Sequence, residues 1–581
     1  MRIIIPAGLA AVAFCPTSAI AAKSVPYAGW FERSQYIRSY DGTRIAVTVR
    51  RPMRSGQPVK ERLPVIVTQD RSDGNPDDMR RFTNAGYIWV SQDRRGTGAS
   101  FGIQTGFVNQ ADARDAKAVI DWAAAQPFSS GKVVATGCSN QGAWQYLVAT
   151  LRPRALVAIA PACASPQFFD HGVSMNGIPM MAIGVKPYAG ECARPASGAR
   201  PVGFVPPAPR PVDEDKNGQQ LKAAVAGQKC GAAMLGQYWR NMARDEFNQF
   251  AGYRPAIEDS AMTHWQAIKA SKIAVLQLGG WYDAAVAGQL EGQRLWGGRL
   301  VMGPWVHGNQ PGRGANAPAA DFDLDGEILR WFDTHAKNAG RISKPSIRYY
   351  TANAPAGQEW REVARWPTYP MRNYFLKADG MLSSSPPEQN GEAADYAQQD
   401  VRWFDGQYSP LGRWWNGDMN ASDALSLSHT LAPLSVDMEV TGTPSAKLWI
   451  AANAPDANLF AVLEDVAPDG KSTYVSDGRI RASWRAIAMP PWGRSPQAWH
   501  SGYLADLKPL GHGEASELVF DFFPISYVFK AGHRIRVSIA TSIGQRYQDP
   551  PMAEGKPVRL TVYRDARHPS QIVLPVAPQH R

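Results

Sequence analysis

The chain has 581 residues, which at about 150 residues per domain points to three or four domains at most. Hydrophobic residues make up 44% and charged residues 19%, a balance that excludes disorder, collagen and coiled coil as the main class. The formal charge of +11 is scattered, with no basic stripe, zinc-finger spacing or RNP-like run, so no nucleic-acid partner is expected.

Residues 1–22 read as a secretory signal peptide. Met1 and Arg2 give a positive start, Ile3 to Phe14 are apolar, and Ala19-Ile20-Ala21 is an A-x-A site. Twelve apolar residues fall short of the roughly 20 that span a bilayer. Cys15 lies inside this segment, and the bulk of Phe14 argues against a lipoprotein cleavage site. No later run reaches 18 apolar residues, so the expectation is a periplasmic or secreted protein without a membrane partner.

Export bears on the four remaining cysteines, Cys138, Cys163, Cys192 and Cys230, because an even count in an oxidising compartment favours disulfides. Cys192 and Cys230 share a Pro-rich region and are the favoured pair. Cys138 and Cys163 end two consecutive predicted strands and are placed to meet across the sheet edge. Neither CxxC, HExxH nor a His/Cys cluster occurs, so no metal or other cofactor is expected.

Strands are predicted at 44–50, 64–69 and 86–92. Residues 109–126 have helical spacing, with Ala116, Val119, Ile120 and Ala123 on one face, and Pro127 ends them. An unbroken apolar strand at 132–137, a helix at 142–151 and a second apolar strand at 155–162 imply a parallel sheet buried on both faces. The alternation stops at 165–268, where a Pro-rich loop (195–211) and helices at 219–227 and 231–245 read as an inserted cap. It resumes with a strand at 273–280, a helix at 284–295, a strand at 299–304 and a helix at 323–337. After 345, short alternating runs between turn clusters predict an antiparallel sandwich of jelly-roll type, clearest at 533–540. The expected division is therefore 1–22 signal, 23–164 and 269–345 an α/β core, 165–268 cap and 346–581 jelly roll.

Candidate chemistry sits where strands end. GCSNQG at 137–142 lies between a buried strand and a helix, the context of a nucleophile elbow. A sharp turn there exposes Ser139, and the helix N-terminus offers backbone N–H groups to an oxyanion. A serine needs a base and an orienting carboxylate. GGWYD at 279–283 places Asp283, and GPWVHG at 303–308 places His307, just beyond two later strands in the order Ser, acid, His. Trp144, Trp281, Tyr282 and Trp305 flank these motifs, as pocket walls or as core. Asp93 and Arg94 follow the strand at 86–92 and read as a buried ion pair bracing the loop GTGAS. Asp213-Glu214-Asp215 reads as a solvated loop, with amine binding as the other reading.

These motifs, with SQDRRGTGASFG at 91–102, VIDWAAAQPFSSGKVVATGCSNQG at 119–142 and FPISYVFKAGHRIRVSIATS at 523–542, resemble the CocE/NonD-type serine hydrolases. That family includes cocaine esterase, glutaryl-acylase-like enzymes, α-amino-acid ester hydrolases and X-Pro dipeptidyl-peptidases. The resemblance implies an α/β-hydrolase core, an inserted helical cap and a C-terminal jelly roll. It implies Ser139 as nucleophile, Asp283 as acid, His307 as base and the Asn140 N–H as one oxyanion donor. Many relatives carry a Tyr after the strand at 64–69 as the second donor. Here TQDRSDGN stands at 68–75, leaving Arg71, Ser72 or a backbone N–H for that place. Asp283 is followed by Ala284, Ala285, Val286 and Ala287, which argues against the ammonium-binding carboxylates of the amino-acid ester hydrolases. The expected substrate is a small ester or amide. The alternatives are a short peptide cleaved by an X-Pro dipeptidyl-peptidase, and a binding protein with a vestigial hydrolase core. The oligomeric state is left open.

Overall fold

The computed structural model describes residues 26–69, 76–106, 108–167, 169–179, 208–228, 243–248, 252–308, 322–340, 342, 347–391, 393–397, 418–493, 495, 497–542 and 555–578. One large sheet organises the N-terminal part. Its strands are β1 (Trp30–Arg38), β2 (Arg44–Arg54), the short β3 (Gln57–Pro58), β4 (Leu63–Gln69), β5 (Ile88–Gln92), β6 (Ser129–Cys138) and β7 (Leu156–Ala162). After the hairpin β8 (Ser174–Met175) and β9 (Ile178–Pro179), the same sheet continues with β10 (Ala274–Gly280), β11 (Arg299–Gly303), β12 (Ile347–Tyr350) and β13 (Trp360–Val363). The spatial order is β1-β2-β5-β4-β6-β7-β10-β11-β12-β13, with β3 hanging on β2. From β5 to β12 every neighbour runs parallel.

The apolar runs are explained by burial on both faces. Val65 and Val67 of β4, with Val133 and Ala135 of β6, pack against the helices α2 (Gln110–Ala125) and α3 (Asn140–Thr150). The intervening Ile66 and Val134 face the other way, into a cluster with Met79, Phe82, Ile328, Trp331 and Phe332. Alternate residues thus enter opposite cores, and neither face tolerates a polar stripe.

The sheet has a topological switch between β4 and β6. From β4 the chain crosses to β5 on one side, then returns past β4 to β6 on the other. Ligand crevices in such sheets open at the carboxyl ends of the two strands that flank the switch. The C-terminal end of β6 carries Ser139.

Several boundaries differ from the sequence expectation. The sequence places residues 346–351 in the β half, but Ile347–Tyr350 pairs in parallel with β11, and β13 adds antiparallel to it. The helix Trp265–Ser271 lies at the end of the expected insertion, yet Ile268 joins the core of α2 and α3. It is the crossover that returns the chain from β7 to β10. Strand β1 and the helix α1 (Pro76–Asn84) have no clear signal in the sequence. In β1 only Ser34 and Ile37 are buried, so no alternation shows, and the helix is nine residues long with few apolar side chains. Helix Gln219–Gly227 falls where expected, and the second cap helix at 231–245 lies largely outside the described residues.

The acidic run 213–215 is a partly solvated loop: Asp213 and Glu214 are exposed, yet their carboxylates are engaged. Asp213 accepts from Ser34 N and Ser34 Oγ, both at 2.9 Å, and Glu214 accepts from Tyr36 N at 3.3 Å. In a strand, amides two residues apart point the same way, here toward the open side of β1. The carboxylates therefore cover donors that an unprotected edge presents to other chains. Asp215 is buried and accepts from Gln220 N and Leu221 N at the start of Gln219–Gly227.

The C-terminal part is rich in strands. Leu427–Thr430, Arg534–Ala540, Asn458–Val466 and Ser472–Arg481 form one antiparallel sheet in that order. A seven-stranded sheet includes Met371–Leu376, Gln571–Pro575, Ser445–Ala452, Arg559–Tyr563 and Ala393–Ala397. Their shared core also takes in Trp281, Tyr282, Met302, Ile347 and Tyr349 from the large sheet and its loops. The loop carrying Asp283 is thus packed against the strand-rich part.

Candidate active site

Strand β6 ends at Cys138, and Ser139 is the N-cap of α3 with φ 63° and ψ −127°. A non-glycine residue in that region is strained by about 1–3 kcal/mol and persists only where its surroundings hold it. Ser139 N donates to Ala162 O of β7 at 3.0 Å, and Ser139 O accepts from Gly142 N and Ala143 N at 2.9 and 2.8 Å. A Cβ on Gly142 would stand 2.6 Å from Ala164 Cβ and 2.7 Å from Ala162 O; one on Gly137 would stand 2.6 Å from Gln141 Cβ. Glycine at 142 lets the turn lie this close to β7, and glycine at 137 lets α3 start this close to the end of β6. Gln145, which sequence reasoning missed, completes the clamp. Its Nε2 donates to Gln141 O at 2.8 Å, and its Oε1 accepts from Ala160 N at 3.1 Å. A glutamine on the buried face of α3 was the available signal. Asn140 is the first residue of α3, where amides lack an intrahelical acceptor and the dipole favours negative charge.

The strand ends of β10 and β11 extend side by side. Trp281 N donates to Gly303 O at 3.0 Å and Tyr282 N to Trp305 O at 3.1 Å. Gly280 permits this approach, since a Cβ there would lie 2.1 Å from Trp305 O. The pairing brings His307 Nδ1 to 3.1 Å from Asp283 Oδ2 and 3.3 Å from Oδ1. Asp283 is buried and its Oδ1 also accepts from Ala285 N at 3.0 Å; the His307 side chain keeps 20% of its surface exposed. A buried carboxylate thus faces Nδ1 and leaves a partly open imidazole for chemistry.

Cys138 and Cys163 form a disulfide with Cα atoms 5.2 Å apart. Both sulfurs and a ring nitrogen of His307 lie within 4.8 Å of one another. Because Cys138 directly precedes Ser139, this contact puts His307 beside the Ser139 turn. The joined sulfurs are not the thiolates that a metal site requires. The favoured pair, Cys192 and Cys230, lies outside the described residues, as do Arg71 and Ser72.

The four aromatics flanking the motifs are placed as core side chains. Trp144 is wholly buried in the cluster of α2 and α3. Trp305 packs against Phe322 and Trp360 with centroids 5.6 and 6.0 Å away. Trp281 packs on Trp366 and donates to Tyr350 O at 2.5 Å, and Tyr282 meets Tyr474 of the strand-rich part at 6.4 Å. They fix the loops that carry Asp283 and His307. Asp93 and Arg94 have separate tasks: Asp93 accepts from Ala99 N at 2.9 Å inside the GTGAS turn, while Arg94 forms a buried ion pair with Asp112 of α2.

Residues 41–309 match the family model described as X-Pro dipeptidyl-peptidase (S15 family). Residues 340–573 match that of the X-Pro dipeptidyl-peptidase C-terminal non-catalytic domain. A Mycobacterium bovis protein named "Putative serine esterase" is 30% identical over 95% of this chain and 96% of its own length. Cocaine esterase of a Rhodococcus species is 26% identical over 92% of this chain and 96% of its own length. The crystal structure of an aminopeptidase from a Thaumarchaeota archaeon superposes with a TM-score of 0.72 at 18% identity, covering 98% of this chain and 99% of that one, a likeness of fold. The chain belongs to the X-Pro dipeptidyl-peptidase (S15) family and is a serine hydrolase of the esterase or dipeptidyl-peptidase-like kind.

Proposed function

We propose that the chain is an exported esterase or amidase that cleaves small acyl substrates through Ser139, His307 and Asp283, on an α/β-hydrolase core with an inserted cap and a C-terminal jelly roll. The observation that carries this reading is the strained Ser139 at the end of β6, set beside an imidazole whose Nδ1 faces buried Asp283. His307 takes the Ser139 proton as Oγ attacks the carbonyl, and Asp283 holds the tautomer and stabilises the imidazolium. The Asn140 N–H, at the start of α3, serves as one donor to the developing oxyanion. The imidazolium returns its proton to the leaving group, and water repeats the attack on the acyl-enzyme.

Among the described residues, the carboxylates near the helix that follows Asp283 are already paired, which supports a neutral substrate over a peptide ammonium. A cavity of about 50 Å³ lies beside the helix that follows Asp283, lined by Asp170, His171, Gly288, Glu291, Trp492 and Trp499 among others. Its two carboxylates are already compensated: Asp170 pairs with buried Arg244, and Glu291 with Arg294 at 2.6 Å. Asp213, Glu214 and Asp215 are engaged by backbone amides. The family match motivates the second reading, an X-Pro dipeptidyl-peptidase. A fluorophosphonate is expected to label the protein and to spare Ser139→Ala; labelling that persists in the variant removes Ser139 from the mechanism. Turnover of p-nitrophenyl butyrate over Gly-Pro-p-nitroanilide supports the esterase, and the reverse preference the peptidase.

A further inference from the structure

We infer that the Cys138–Cys163 disulfide is a positioning element of the active site, and that its reduction by a dithiol silences hydrolysis reversibly. The inference rests on the Ser139–His307–Asp283 reading. The bridge joins the C-terminal ends of β6 and β7 at the point where the nucleophile turn is built. One cysteine precedes Ser139, and the other follows Ala162, whose carbonyl receives the Ser139 amide. Two non-glycine residues with positive φ bracket it, Ser139 at 63° and Cys163 at 38°. Backbone in that region relaxes unless it is held, and the covalent link ties Cys163 to the residue that precedes Ser139.

The sulfurs also lie near the base. Both lie within 4.8 Å of a His307 ring nitrogen, so the redox state of the pair changes the charge beside the imidazole. Cys163 is buried and Cys138 half-buried, so Cys138 Sγ is the atom open to attack. One thiolate of the dithiol attacks Cys138 Sγ, forms a mixed disulfide and expels Cys163 as thiolate. The second reductant thiol then closes on the first, expelling Cys138 as thiolate. Two electrons have passed to the protein, the reductant leaves as a cyclic disulfide, and its two protons are shared among the two sulfurs and His307. A thiol beside an imidazole ionises readily to a thiolate–imidazolium pair. An imidazolium cannot accept the Ser139 proton, and the unlinked turn no longer holds Ser139 at positive φ.

The test uses the full chain carrying Cys192→Ser and Cys230→Ser, assayed on p-nitrophenyl butyrate before and after dithiothreitol, with thiols counted by alkylation and mass. Reduction is expected to lower kcat at least tenfold, leave KM within twofold, and move the acidic limb of kcat/KM to higher pH. Reoxidation restores all three. The additional double variant Cys138→Ser/Cys163→Ser is expected to have a lowered kcat, no response to dithiol and no shift of the acidic limb. Release of two thiols with kcat and pH profile unchanged overturns the inference. So does an unaltered dithiol response in the double serine variant, or loss of the far-UV spectrum on reduction, which marks a purely structural link. An oxidised enzyme that neither turns over ester nor reacts with fluorophosphonate strikes the serine-hydrolase assignment of Ser139, and the inference with it.

Discussion

Replacing Ser139 by glycine is expected to destroy activity and to stabilise the fold relative to alanine. The perturbation is clean because both variants lack Oγ and differ only at Cβ. Serine and alanine at φ 63°, ψ −127° carry about 1–3 kcal/mol of strain that glycine does not. Glycine costs roughly 0.5–1 kcal/mol through its freedom in the unfolded chain. The difference leaves Ser139→Gly more stable than Ser139→Ala by about 1 kcal/mol. For a cooperative unit of 150–250 residues that corresponds to roughly 2–4 °C in Tm. Paired thermal scans of the two variants read the stability difference. Ester turnover reads the function, and both variants are expected to fall by roughly three orders of magnitude or more. Equal or lower stability of Ser139→Gly refutes the claim that the turn stores strain. Residual turnover within tenfold of the parent refutes the role of Oγ.

Three further outcomes follow from the geometry. Asp283→Asn, which offers an amide where His307 Nδ1–H needs an acceptor, is expected to lower kcat by about 10³–10⁴ with little change in KM; an unaltered kcat removes Asp283 from the mechanism. Asp213→Ala uncovers Ser34 N and Ser34 Oγ on the sheet edge and is expected to cost about 1–3 kcal/mol in denaturant unfolding and to raise light scattering with concentration; parent-like values on both counts refute the edge role. His429 is wholly buried, and desolvation, reinforced by the Arg564 charge, lowers its pKa to about 4 against 6.5 for the free group. Its neutral form therefore contributes stability that is complete above pH 6.5 and lost as pH falls toward 4, by roughly 3 kcal/mol. The stability gap between the parent and His429→Leu should move in favour of the variant across that window, and a gap independent of pH contradicts the assignment.

The sequence by itself determined the parallel core and the candidate site positions. Strands buried on both faces are apolar at most residues rather than at alternate ones, so β4, β6, β7, β10 and β11 appear as apolar runs near their observed positions. Ser139, Asp283 and His307 were legible because each follows such a run, and parallel strands deliver their C-terminal ends to one edge. Edge strand β1 was illegible, since only Ser34 and Ile37 of its nine residues are buried and they do not alternate. Tertiary structure decided what depends on which segments meet. It closed the Cys138–Cys163 link that the two strand ends already suggested, by bringing their Cα atoms to 5.2 Å. It gave Ile347–Tyr350 to the large sheet, where β11 supplies its hydrogen-bond partner. It set the acidic run 213–215 on the edge of β1 and at the start of a helix, and buried the flanking tryptophans in cores built from distant strands. Local period fixes where a strand runs, while partners far apart in the chain are chosen by packing and by unpaired backbone groups that must be satisfied.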